Sequence, residues 1–322
     1  MWIVTGGAGF IGSVLVWRLN QEGIDDILVV DRLERSEKWK NLRARHFADY
    51  LEADDFIAKL EANKIKGIQG IVHLGANSST TELDASHLIQ NNFEYTKRLA
   101  LWCLAKKKRF VYASSAATYG DGRFGYSTDR ETTERVMPLN MYGYSKQLFD
   151  LWALRQGVLN KMVGIKFFNI YGPNEYHKGD MRSVVAKAYE QIKKDGVIKL
   201  FKSYHPQYRD GEQERDFLYV KDAVDVMYEF MTQKKYKGLY NLGAGSARTW
   251  NDLAKALFLA MGRTPHIEYI EMPETLRPKY QYHTQADMRW RQAVRGAKPF
   301  MSLEEAVRDY AQNHLMKEDP YL

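Results

Sequence analysis

Cysteine is nearly absent from this sequence: Cys103 stands alone in 322 residues. That excludes an internal disulfide and any cysteine metal cluster, and within "LALWCLA" the residue fits a small buried hydrophobe. Long apolar runs are absent as well, none approaching the ~18 residues that span a bilayer. No charged leader or cleavage site precedes "MWIVTGGAGF". A cytoplasmic protein without a membrane partner is expected. Zinc-finger spacing and an aromatic RNA-binding signature are both missing, so neither a metal nor a nucleic acid is expected. Basic residues outnumber acidic ones, 47 to 40, for a formal charge of +7. The one dense basic run, Lys106-Lys107-Lys108-Arg109, ends an apolar helical pattern, where cations complement the helix dipole. A phosphorylated small molecule is the remaining use for the positive balance.

Hydrophobic residues make up 45% of the chain, enough for one large core or two smaller ones. In the first half, strand and helix patterns alternate. "WIVT", "DILVVD", "HFADY", "GIVHLGA", "RFVYASS" and "MVGIKFFNIYG" read as six strands. Helical patterns separate them, starting near Phe10, at "DFIAKLEAN", at "HLIQNNFEYTKRLALWCLA" and at "YGYSKQLFDLWALRQ". Val/Ile-rich strands spaced by helices indicate a parallel sheet covered on both faces. After Gly172 the alternation loosens. "FLYVKDAVDVMYEFM" reads as a strand and helix that return to the sheet, Thr249 caps "WNDLAKALFLAMG", and Ser302 with Glu305 forms a capping box.

"VTGGAGFIGS" places Gly6, Gly9 and Gly12 directly after a strand and at the opening of a helix. The early glycines permit a tight turn and close approach of a pyrophosphate to backbone N–H groups, and the last lets the helix pack on the sheet. Asp31 ends the second strand, where an acid bonds a ribose 2′-hydroxyl and so favours NAD. Arg32 and Lys38 follow, and a guanidinium can clamp a 2′-phosphate while Asp31 turns aside. NADP is the expected cofactor, with NAD as the alternative.

"MYGYSK" sets Tyr142 and Lys146 four apart at the start of a helix, on one face. A free phenol has a pKa of about 10, and a neighbouring ammonium favours the phenolate that a base requires. Ser115, at the end of the fifth strand, can hold the same substrate oxygen.

Together "TGGAGFIG", "SSAATYG", "YGYSK", "FFNIYGP" and "RDFLYV", spread from Thr5 to Val220, resemble the extended short-chain dehydrogenase/reductase family. The resemblance implies an α/β, Rossmann-type doubly wound parallel sheet with a smaller α/β substrate-binding domain. Residues 1–170 would form the NAD(P)-binding domain, with a returning segment near 215–240. Residues 171–322 would be mainly the substrate-binding domain, interleaved with the first. The family is one of nicotinamide enzymes for nucleotide-linked sugars, in which Tyr142 would move the proton, Lys146 would hold the ribose and lower the phenol pKa, and Ser115 would orient the oxygen. One tightly bound cofactor per subunit would meet Gly6, Gly9, Phe10, Ile11 and Gly12, then Leu74, Gly75, Ala76 and Asn91.

Sugar dehydratases of that family follow the Ser/Thr with an Asp-Glu pair, whereas Ser115 precedes Ala116 and Ala117, which disfavours dehydration. "GANSSTTE", "SSAATYG", "NEYHKGDM", "KLF" and "YQYHTQADM" are most similar to the ADP-L-glycero-D-manno-heptose 6-epimerases, homopentameric enzymes of lipopolysaccharide core precursor synthesis. By that likeness the substrate is an ADP-heptose, the protein is a homo-oligomer and Lys178 is a second catalytic residue. The substrate contacts would be Ser78, Asn169, Lys178, Asp180, Lys187, Phe201, Arg215 and Tyr280, with Arg215 on the diphosphate. The chain departs from the family pattern at Asp180, Lys187 and Ala53, where Ser, His and a basic residue are usual, and the loop Ser203 to Glu214 is long. An Asp beside a diphosphate is repulsive unless paired, and Arg182 is the expected partner.

Inverting a carbon that bears a hydroxyl requires loss of a hydride to give a carbonyl, then its return to the opposite face, so bound NADP is regenerated and no second substrate is needed. If the carbon is exocyclic, the aldehyde rotates in place and its oxygen meets one proton donor before rotation and another after. Lys178 would supply the second. By composition alone an exposed lysine is the default reading of Lys178, with phosphate binding next. His177 is a rival acid/base, although no cysteine lies nearby to pair with it. His283 and His73 fit structural roles, His73 against the cofactor loop. Two other functions stay open: a nucleotide-sugar 4-epimerase or 4-reductase using Tyr142 alone, and a non-catalytic NADP-binding regulator, against which the intact Ser115, Tyr142 and Lys146 argue.

Overall fold

The computed structural model describes residues 1–277 and 280–322. Its strands, in chain order, are β1 Trp2–Thr5, β2 Ile27–Asp31, β3 Asp49–Glu52, β4 Gly70–His73, β5 Arg109–Ser115, β6 Val163–Phe167, β7 Asn169–Tyr171, β8 Ile198–Phe201, β9 Glu214–Tyr219, β10 Gly238–Leu242, β11 Ala247–Thr249 and β12 Ile267–Ile270. Seven of them form one parallel sheet in the order β10-β6-β5-β4-β1-β2-β3. The order reverses between β1 and β4, and ligands of such sheets bind beyond the carboxyl ends at that switch point. No helix among the described residues is long and apolar enough to cross a membrane.

Strand alternation explains why both faces are covered. Val4, Val29, Val72 and Val111 point to one apolar layer, which takes in Val14 and Leu15 of the helix Phe10–Gln21 and Val224 and Met227 of the helix Val220–Thr232. Their neighbours Ile3, Leu28, Ile71 and Phe110 point to the opposite layer, with Phe56, Leu99, Cys103 and Phe149. Cys103 is buried there as a small hydrophobe.

Three expectations need correction. The third strand lies at Asp49–Glu52 and not at "HFADY", because its register pairs Leu28 with Asp49 and Asp31 with Glu52. The sixth strand is two strands: the Phe168 N–H turns to the Leu242 carbonyl (3.0 Å), and β7 then joins a separate sheet of order β11-β9-β7. "FLYV" belongs to β9 of that small sheet, since β7 offers it the free edge, and the strand that extends the large sheet is β10. The helix that follows β9, Val220–Thr232, does pack over the large sheet, against the helix Phe10–Gln21. The two caps form as expected: Thr249 and Ser302 each accept from the backbone three residues on, within capping boxes closed by Asp252 and Glu305.

Beneath the carboxyl end of β5 lies a fully buried ion pair. Lys166 of β6 and Asp150 of the helix Met141–Arg155 are both 0% exposed and 3.0 Å apart. Asp150 also accepts from Tyr112 (2.9 Å) and Ser114 (2.6 Å), and Lys166 donates to Thr118 (2.6 Å). Removing one partner of such a pair strands the other charge in a dry interior, at ~3–5 kcal/mol. Lys166→Met is therefore expected to lower unfolding free energy by about that amount, while Lys166→Met combined with Asp150→Leu recovers much of it. Urea denaturation of the single and double variants checks the ordering, and a single variant as stable as the parent chain would contradict it.

Candidate active site

The turn between β1 and the helix Phe10–Gln21 begins with Gly6 at φ +68, a left-handed value that side chains disfavour. A Cβ on Gly6 would stand 2.6 Å from the Gly75 nitrogen, and one on Gly12 would stand 2.0 Å from the Gly6 carbonyl. Loop, helix and the β4 turn are thus packed at backbone distance, which only glycine permits. No side chain caps the helix at Gly9, so its first N–H groups face the cleft, ready for an anion. This cradle fits the pyrophosphate of a dinucleotide.

A cleft of about 710 Å³ opens over the loop and is lined by both halves of the chain. Gly6, Gly9, Phe10, Ile11, Gly12 and Asp31 form one end, with Lys38, Leu74, Gly75 and Ala76. Ser78, Ser115, Tyr142, Lys146, Asn169 and Lys178 line the remainder. An adjoining cavity of about 870 Å³ shares Gly6, Asp31 and Lys38 and adds Arg32, Ala53 and Asn91.

At that outer end Asp31 is turned into the loop. One oxygen accepts from Ala8 N–H (2.9 Å), the other from Arg32 N–H (2.7 Å) and from the Lys38 ammonium (2.8 Å). The Arg32 guanidinium reaches instead to Asn91 (2.8 Å) and Asp54 (2.7 Å), and Asp54 is 82% exposed. Such a pair is worth little and exchanges readily for a better anion.

At the inner end, the helix Met141–Arg155 opens with Asn140 capping Gly143 N–H (2.8 Å), which brings Tyr142 and Lys146 over the end of β5. The Tyr142 phenol lies against the Ser115 hydroxyl, which favours its ionisation, but burial is the larger effect and raises its pKa. The Lys146 ammonium turns to the Ala113 carbonyl (3.0 Å). Lys146 itself is pushed down to about 8 by burial, with Asp150 opposing.

Lys178 comes from a tight turn, Tyr176–Met181, that follows β7. Its ammonium is half-buried, 5.6 Å from the Phe10 ring centroid. Burial lowers its pKa, and Glu175 opposes that shift. His177, beside it, is pushed down to about 4 by burial, and its Nδ1 sits 3.3 Å from the Asn41 amide, so it is neutral near pH 7. His73, driven to about 3 by burial, lies between the hydroxyls of Thr5 (2.6 Å) and Thr96 (2.8 Å) under the glycine loop. His283 pairs with Glu214 at 2.8 Å.

Asp180, Lys187, Phe201, Arg215 and Tyr280 are outside the cleft wall. Arg182 does not pair with Asp180: it reaches along the helix Val184–Asp195 to Glu190 (2.5 Å), while Lys187 bonds the Asp180 carbonyl (3.2 Å). Arg215 lies just behind the wall, between the rings of Trp250 (5.7 Å) and Tyr280 (5.1 Å), and burial lowers its pKa. Trp250, which does line the cleft, donates to the Tyr280 hydroxyl at 3.0 Å. Phe201 ends β8, half-buried. Sequence reasoning missed Trp250, Asn77 and Ser79 in the wall; Asn77 and Ser79 flank Ser78 in "GANSSTTE", where only the middle residue was singled out.

Comparison with known proteins follows the same lines. The ADP-L-glycero-D-manno-heptose-6-epimerase of Nitratidesulfovibrio vulgaris (strain DP4) is 54% identical over 323 residues, covering 100% of both chains. The enzyme of that name from Fusobacterium nucleatum subsp. nucleatum is 48% identical over 332 residues, again over 100% of both. The crystal structure of the Helicobacter pylori ADP-L-glycero-D-manno-heptose-6-epimerase superimposes with a TM-score of 0.81 at 27% identity, over 97% of this chain and 95% of that one. A UDP-N-acetylglucosamine 4-epimerase from Methanobrevibacter ruminantium M1 gives the same TM-score, 0.81, at 23% identity over 97% and 96%, so the fold is common to enzymes with different substrates. Residues 2–243 match the NAD dependent epimerase/dehydratase family. The chain belongs to that family.

Proposed function

We propose that the chain is an isomerase that interconverts ADP-D-glycero-D-manno-heptose and ADP-L-glycero-D-manno-heptose at the exocyclic carbon. The observation that carries this reading is two titratable side chains in one cleft, Tyr142 on the helix Met141–Arg155 and Lys178 on the turn after β7, in a chain 54% identical to a protein bearing that enzyme name. A nicotinamide dinucleotide, when bound on the glycine cradle, takes a hydride from the sugar and gives it back.

The chain's own groups do the remainder. Ser115 and Tyr142 hold the oxygen of the reacting carbon, and Tyr142 exchanges its proton in one orientation of that carbon. Lys146 anchors a ribose hydroxyl on the cofactor side. Lys178 exchanges the proton in the second orientation, and its lowered pKa makes the free amine accessible nearer neutrality. Asn169 and Ser78 face the sugar. Arg215, with no carboxylate partner among the described residues, stands ready for the diphosphate behind Trp250 and Tyr280.

NADP is the cofactor this reading favours. Asp31 has spent both oxygens on the loop and on Lys38, and Arg32 faces the outer cavity with only an exposed Asp54 to release. With Ala53 in that wall, Arg32 and Lys38 carry the 2′-phosphate.

Proton NMR of ADP-D-glycero-D-manno-heptose incubated with the purified protein, without added cofactor, is expected to show conversion to the L-glycero epimer. Lys178→Met should lower kcat by ~10²–10⁴-fold, the span of general acid/base contributions, with KM little changed. If saturating substrate restores full turnover to Lys178→Met, Lys178 is a phosphate clamp and a single-base epimerase is the better reading. The protein denatured after purification should release NADP, and Arg32→Ala should shift the released mixture towards NAD. Release of NAD alone by the parent chain, unchanged in Arg32→Ala, contradicts the NADP assignment.

A further inference from the structure

Among the described residues Lys178 has no ion-pair partner at contact distance, so what fixes its turn must come from behind. Immediately before it, Asn174 is fully buried in a left-handed conformation, φ 74. Its amide donates to Ser13 on the cofactor helix (3.0 Å), and its carbonyl accepts from Asn41 (3.1 Å), whose amide also reaches the Ala8 carbonyl in the glycine loop (2.8 Å). Next, Glu175 is 1% exposed. Its carboxylate accepts from Ser183 Oγ (2.7 Å), Gly172 N–H (3.3 Å), Ser183 N–H and the Tyr310 hydroxyl (3.0 Å). Every one of these is a donor and favours the ionised carboxylate, while burial is the larger effect and raises the Glu175 pKa. The Glu175 carbonyl accepts from Lys178 N–H (3.1 Å).

The segment Asp319–Leu322 closes over the same turn. Tyr321 meets Tyr176 edge-on (5.1 Å, 84°), the Tyr176 hydroxyl donates to the Pro320 carbonyl (2.9 Å), and Leu322 N–H donates to Asn174 Oδ1 (2.9 Å). Arg43 anchors the segment from the opposite side, bonding Asp319 at 2.9 and 3.0 Å under the Tyr321 ring.

We propose that Glu175 is a positioning residue for Lys178, and that Tyr310 and the Asp319–Leu322 segment form a strap which holds the Glu175–Lys178 turn in register with the glycine loop. The inference rests on the two-base reading of the cleft. If the place of Glu175 served packing alone, an apolar side chain would fill it without four donors to satisfy. What ties Glu175 to Lys178 is the backbone bond within the turn, Lys178 N–H to the Glu175 carbonyl, and a negative charge at Glu175 also favours the charged form of Lys178. The other charged groups near Lys178 are spoken for. Lys38 is paired with Asp31, Arg182 with Glu190, and Lys146 is turned to Ala113. Phe10, on the cofactor helix, is apolar, and His177 is neutral.

The test uses the full chain and compares Glu175→Gln, Tyr321→Ala, Tyr321→Phe and Lys178→Met for kcat, KM and the pH profile of kcat. Glu175→Gln removes the charge that opposes deprotonation, so the limb of the profile that is missing from Lys178→Met should move to lower pH. Its kcat should fall about tenfold or more, as for a small misplacement of a reacting group, with KM within about twofold of the parent. Tyr321→Ala should lower kcat several-fold with the limb in place, and Tyr321→Phe, which keeps the ring, should restore it. An unmoved limb in Glu175→Gln, or parent kcat in Tyr321→Ala, overturns the inference while leaving the two-base reading intact. Full turnover by Lys178→Met overturns that reading and this inference together. Should Glu175→Gln fail to fold, the Tyr321 pair decides, since that ring is partly exposed and its loss leaves the core untouched.

Discussion

At Phe168 the chain exchanges one sheet for another, and half of the cleft is a consequence of that exchange. The Phe168 N–H bonds to Leu242 at the edge of the large sheet, and the next residue already belongs to β7 of the small one. Had the strand run on, Asn169 and the turn bearing Lys178 would have continued along the sheet axis. The break sends them across the carboxyl ends of β1 and β4, where the glycine loop lies. The site is therefore built from two walls, one rooted in β5 and the helix after it, the other in the chain that has left the sheet.

The cations in and under those walls show how burial sorts structural from reactive groups. Lys166 is sealed at 0% exposure and has a carboxylate at 3.0 Å with a hydroxyl beside it. Burial pushes its pKa down, and Asp150 opposes that shift. Lys146 is almost as buried but has only a backbone carbonyl at hydrogen-bond distance, and it is held near 8. Lys178 and Arg215 share the second condition: desolvated, and without a carboxylate in contact. An uncompensated buried cation is expensive, and these three lie in or against the cleft, where an anionic ligand would relieve it. Arg109 at the start of β5, also desolvated without a carboxylate in contact, instead donates to the Phe230 carbonyl (2.8 Å).

Much of this was legible in the sequence because the signals are local. Gly6, Gly9 and Gly12 sit at a strand-to-helix junction where backbone clearance permits nothing larger, and Tyr142 with Lys146 share a helix face by spacing alone. What stayed hidden depends on partners far away in sequence. The Asp150–Lys166 pair joins residues that look like an ordinary helix acid and an ordinary strand lysine. The orientation of Lys146 depends on a carbonyl in β5, Ala113, thirty-three residues earlier in the chain. The break at Phe168 carries no glycine or proline to announce it; in "FFNIYG" only Asn169 interrupts the apolar residues before Gly172. Likewise the assignment of "FLYV" to the large sheet followed its composition, whereas the free edge of β7 determined its partner.

A ring epimerase and an exocyclic one pose different geometric problems, and the two walls bear on which is solved here. When the inverted carbon lies in the sugar ring, the whole ring must turn over to offer its other face, and one proton-exchanging group serves both halves of the reaction. When the carbon is exocyclic, a single bond rotates, the ring stays bound, and the carbonyl oxygen swings from one wall to the other. A cleft for the second task needs a rigid grip on the ring and diphosphate, plus two proton-exchanging groups fixed to separate elements. Tyr142 is fixed by the helix that Asn140 caps, and Lys178 by a turn held from behind through Glu175 and Asn174. The two groups thus stand on separate elements, which is what the proposed rotation of an exocyclic aldehyde would call for.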